Sequence, residues 1–147
     1  MMNGKWAHVA LAVTVFAAGF AVRGFVGTPV AHAQSSNRVF EMRTYTAAPG
    51  KFDGLQARFR NHTLKMFEKH GMTNIGYWVP ADAPKSENTL VYIIAHKSRD
   101  AAKQSWAAFQ ADPEWQAVVK ESQKDGRLLA NPPESVFLNP TDYSPIK

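Results

Sequence analysis

Polar and apolar positions alternate through RVFEMRTYT, residues 38–46, with Val39, Glu41, Arg43 and Tyr45 on one side of an extended chain and Phe40, Met42, Thr44 and Thr46 on the other. The stretch is rich in strand-favouring residues and neither side is purely polar. It therefore predicts a strand in a sheet covered on both faces, by helices on one side and something else on the other. AAPGK turns the chain, and the period then changes. Across residues 51–70, Phe52, Leu55, Phe59, His62, Thr63, Met66, Phe67 and His70 fall on one helical stripe, while Arg58, Arg60, Lys65 and Lys69 lie mainly outside it. Gly71 follows as a helix C-terminal cap.

Residues 72–80 (MTNIGYWVP) read as a second strand, in which Gly76 marks a bulge or a close backbone approach. The polar loop ADAPKSEN leads to TLVYIIAH, residues 89–96, the most apolar and hence central strand. Ser98 is placed to cap a helix whose Ala101, Ala102, Ser105, Trp106 and Phe109 form a packed face. Asp112-Pro113 restarts that helix, with Asp as N-cap and Pro in the first position, and the second piece carries Trp115 and Val119 one turn apart to about Gln123. A short strand at residues 135–138 follows NPPE. The order β-α-β-β-α-β predicts an α+β, ferredoxin-like domain over residues 38–147.

The segment before this domain is set apart by charge. Its first 33 residues hold only Lys5 and Arg23 among basic residues and no Asp or Glu. A basic start, the apolar run VALAVTVFAAGFAV and the small-residue spacing of Ala31 and Ala33 predict a signal peptide, residues 1–33, cleaved between Ala33 and Gln34. The 14-residue apolar run makes about 21 Å of helix, short of the roughly 30 Å of a bilayer core, so stable membrane insertion after cleavage is not expected. The alternative is an uncleaved anchor. An exported product, periplasmic or extracellular, follows. Removing two of the 17 basic residues leaves 15 against 12 acidic ones, and no Lys/Arg block suits a nucleic-acid backbone. The chain has no cysteine, so disulfides and thiolate chemistry are excluded.

Five side chains are candidates for a ligand site: Glu41, Arg43, Tyr45, His62 and Trp78. His62 and His70, eight residues apart, stand about 12 Å apart along a helix and cannot share one ion. With His96 at the far end of a strand and no HxxxH or HExxH spacing, no metal site is expected. His62, on the expected buried stripe, reads either as a hydrogen-bonded core residue, as a catalyst, or as an axial haem ligand. His70 reads as a helix-end residue complementing the dipole. Glu41, Arg43 and Tyr45 share one sheet face, where they would either bind a small ligand or form ion pairs across a dimer interface. Trp78, with Trp106, Trp115 and other aromatics, would line an apolar pocket or simply pack the core.

Four stretches, FEMRTYTAAPGK, NHTLKMFEKHGMTNIGYW, WAAFQADPEW and FLNPTDYSPIK, occur in order over residues 39–147. In them the chain resembles secreted bacterial members of the NIPSNAP family, of the dimeric α+β barrel superfamily. The resemblance implies a ferredoxin-like protomer that pairs sheet against sheet with a second copy. It also implies a superfamily containing cofactor-free monooxygenases, haem-degrading enzymes and dehydratases. It supplies no established catalytic residues. The expectation is thus an exported homodimer binding a small apolar or aromatic molecule or a protein partner, without a cofactor. The alternatives are a cofactor-free monooxygenase or isomerase using His62, with Arg43 or Tyr45 orienting substrate, and haem binding.

Overall fold

Alternation becomes a strand where the pattern demands one: β1 spans Val39–Thr46. The helical run that follows is split into α1 (Phe52–Arg58), a π turn (Phe59–Thr63) and α2 (Leu64–Lys69). Then come β2 (Thr73–Trp78), β3 (Thr89–His96), α3 (Arg99–Ala111), α4 (Pro113–Ser122) and β4 (Glu134–Leu138). The structure, a computed structural model, describes residues 38–147, and the expected signal peptide and cleavage point lie outside the described residues. Among the described residues no helix is long and apolar enough to cross a membrane.

The strands form one antiparallel sheet in the order β2-β3-β1-β4, the ferredoxin-like arrangement expected from the element order. Register places Glu41 opposite Ile94 and Phe137, and Arg43 opposite Tyr92 and Ser135. Because side chains alternate, Glu41, Arg43, Tyr45, Tyr92 and Ser135 all point to the face that carries the helices. The core lies on that side, with Leu55, Phe59, Phe67, Tyr92 and Phe109 packed together. Phe67 meets Tyr92 stacked at 5.8 Å, and Phe59 meets the same ring edge-on at 5.2 Å.

The predicted caps form. Ser98 Oγ accepts from the Ala101 N–H at 3.1 Å, and Asp112 Oδ1 accepts from the Glu114 N–H at 2.8 Å with Pro113 opening α4. Asp112 does more than cap. Its other oxygen takes Lys69 Nζ and His70 Nε2, both at 2.8 Å, so the end of α2 is pinned to the start of α4. The bond from Lys69 is the main reason that the Asp112 carboxyl sits low, at about 2, with burial opposing and Glu114 and His70 assisting. His70 does close its helix, as expected, but its side chain serves this inter-helix tie rather than the helix carbonyls.

The π turn corrects the expected stripe. The Leu64 N–H bonds to the Phe59 carbonyl five residues back, and Thr63 Oγ1 donates to the Arg58 carbonyl at 3.2 Å. One extra residue in a turn sets everything after it back by about 100°. Thr63, Met66 and Phe67 stay buried as a result, but His62 swings out and is exposed. Arg58, expected outside the stripe, is instead buried.

The opposite sheet face, left uncovered by helices, shows Trp78, Val136 and Leu138 at 52%, 49% and 37% exposure. Gly76 marks the expected bulge, and what comes close to it is a side chain rather than a second backbone. The β2–β3 register shifts between Asn74 and Gly76, and a Cβ at Gly76 would stand 2.5 Å from the Trp78 ring folded over it. Residues 139–146 run along one edge of this face, bordering a groove of about 350 Å³ with Phe40, Ile93 and Leu138.

Candidate functional site

Glu41 is the centre of a polar network inside the protein. It is 1% exposed, and each of its oxygens takes two donors. Oε1 accepts from Arg43 Nη1 at 2.8 Å and Ser135 Oγ at 2.7 Å; Oε2 accepts from His96 Nε2 at 3.0 Å and Trp106 Nε1 at 2.7 Å. Burial by itself would raise this carboxyl. Hydrogen bonds from His96, Ser135 and Trp106, with the charge of Arg43, outweigh it and hold Glu41 at about 2. A carboxylate so fully engaged has no lone pair left for a substrate or a proton. It organises its neighbours: the Arg43 guanidinium lies 4.3 Å from the centre of the Trp106 ring and 5.7 Å from that of Tyr45.

A second constellation arises directly from the π turn. A cleft of about 490 Å³ runs between α1 with the π turn on one side and α4 on the other. Gly54, Ala57, Ala117 and Val118 form its apolar walls, Asn61, His62, Glu121 and Ser122 its polar rim, and Arg58 part of its lining. The small residues on both helices are what leave the gap open. Arg58 is 8% exposed, and its guanidinium lies 5.3 Å from the Trp115 ring centre. Burial lowers its pKa, and the oxygens of Tyr45 and Tyr92 partly offset this; an arginine stays charged all the same.

The five sequence-derived candidates do not converge. Glu41, Arg43 and Tyr45 lie together under the helices, so they do not form ion pairs across an interface on the open sheet face. His62 lies at the rim of the helix cleft, exposed rather than on the buried stripe. Trp78 is on the far face of the sheet. Sequence reasoning missed His96, Trp106 and Ser135 as partners of Glu41, contacts spanning 55 to 94 residues that no local pattern signals. It missed Arg58, which precedes the π turn and lies three residues on from buried Leu55 on the same face of α1, because an arginine reads as a solvent-facing residue. Among the described residues no three His, Asp or Glu side chains gather as a metal site.

The family model of NIPSNAP matches residues 40–145. Among solved structures, a NIPSNAP-like domain protein from Burkholderia xenovorans aligns with a TM-score of 0.64 at 22% identity, over 75% of this chain and 90% of its own. A NIPSNAP family protein from Agrobacterium tumefaciens aligns with a TM-score of 0.64 at 24% identity, over 75% and 99%. A monooxygenase of Streptomyces coelicolor, solved with nanaomycin D, shares the fold more distantly, with a TM-score of 0.51 at 17% identity over 72% and 89%. No curated protein matches the chain. The family match covers most of the chain and coincides with the whole described fold, and the chain belongs to the NIPSNAP family.

Proposed function

We propose that the protein is an exported homodimer that binds one small, largely apolar molecule per protomer in the cleft between the π turn and α4. The observation that carries the ligand reading is the cleft itself. Its volume falls in the range of small-molecule sites, its walls are mostly apolar, and a few polar groups stand at its rim. The π turn beside it is a feature frequently found at functional sites. Binding is favoured over catalysis because the buried carboxylate of Glu41 is fully occupied by donors of its own chain.

Dimerisation is supported by the open sheet face. Trp78, Val136 and Leu138 are large apolar side chains on strands whose other face is already covered, and sheet-to-sheet pairing would bury them. Two measurements test the reading. Amide NMR shifts on adding small aromatic compounds should map to Ala57, Ala117 and Val118, and Ala117→Trp should abolish them. Export is checked by N-terminal sequencing from an exporting host, with Gln34 expected as the first residue; a membrane-bound full-length chain would overturn it.

A further inference from the structure

We infer that the cleft selects organic anions, small carboxylic acids with an aromatic or short alkyl body, and that Arg58 is the residue that recognises the carboxylate. This rests on the cleft being a ligand site and adds the charge class of what enters it.

Arg58 is a buried cation without a counter-charge. Among the described residues it has no ion pair and its side chain makes no hydrogen bond, and its Nε, fully enclosed, has no partner. The other inward guanidinium, Arg43, differs in this respect, because Glu41 neutralises it. Glu121 also borders the cleft, but its carboxylate is well exposed and bonded to Lys124 at 2.6 Å. A lone charge in a protein interior is unfavourable, and its retention calls for a partner that arrives from outside. Guanidinium geometry matches a carboxylate, through two parallel N–H···O bonds.

The rest of the cleft agrees with such a ligand. Asn61 and His62 stand beside Arg58 as polar groups able to donate to an anion, whereas Gly54, Ala57, Ala117 and Val118 offer a narrow apolar slot to its body. The Trp115 ring, 5.3 Å from the guanidinium, offers its face to the charge. The exposure of His62, which removes it from the core, is what makes it available here.

The test compares benzoate and indole-3-acetate with their neutral amides on the full chain, by calorimetry and by NMR shifts at the cleft. The acids should saturate and bind at least ~10-fold tighter than the amides. Arg58→Met should erase that preference while melting no lower than the wild type, because an apolar side chain replaces an unpaired buried charge. If Arg58→Met does not fold, Arg58→Lys decides: it should lose ~10-fold for the acids and nothing for the amides. Acids and amides binding alike in the cleft would overturn the anion inference and leave the cleft as a ligand site. Unchanged acid affinity in the Arg58 variants would do the same. No binding of any of the four compounds would overturn both.

Discussion

Glu41 shows how much one side chain can decide. Its four neighbours all donate, so an amide in its place would bring two N–H groups against donors. Glu41→Gln should cost about 3–5 kcal/mol of stability, the range for breaking a buried pair, measured by urea unfolding. The same network sets an acid limit. Glu41 is held at about 2 against 4.5 when unperturbed, so its contribution is complete above pH 4.5 and disappears as pH falls towards 2. Asp112, lowered from 3.8 to about 2, acts in the same direction. Unfolding midpoints measured from pH 6 down to pH 2 should therefore fall most steeply below pH 4.5, and Glu41→Gln should flatten the drop. A midpoint independent of pH across that window would contradict the network.

At the scale of elements, the π turn makes the most specific prediction. If Phe59–Thr63 is a helix with one inserted residue, deleting Asn61 should restore regular α-helix, keep Leu55, Phe59 and Phe67 on one face, and leave the fold intact. The deletion should abolish ligand-induced NMR shifts at Ala117 and Val118 with a melting temperature within a few degrees of wild type. Gly76→Ala tests another local device. The atoms it would meet are the outer edge of the Trp78 indole, which is free to turn away, so the cost should be about 1 kcal/mol and the readout a shift in tryptophan emission. What was legible in sequence at this scale follows from the range of the signals. Alternation in β1, the Ser98 cap and the Asp112-Pro113 restart are encoded by neighbours, and each appears as read. The slip in helical phase was not legible, because Phe59, Met66 and Phe67 fit a regular helix nearly as well as an interrupted one. Which side of β1 faces the helices was equally hidden: both sides are semi-apolar, and only Tyr45 meeting Phe59 and Tyr92 settles it.

For the whole molecule, the open sheet face is the feature with consequences in solution. Val136 and Leu138 lie on edge strand β4, far from Glu41 in space only by the thickness of the sheet, yet on the face that its side chain does not share. The double substitution Val136→Lys, Leu138→Lys should leave the protomer folded and convert the proposed dimer to a monomer in analytical ultracentrifugation at micromolar concentration. A wild type that sediments as a monomer would remove the dimer.

The donors around Glu41 also tie distant parts of the chain to one point. They come from β1, the end of β3, α3 and β4, so one carboxylate reports whether four elements have arrived. Without β4 the buried acid would lack one donor and β1 would keep an unpaired edge.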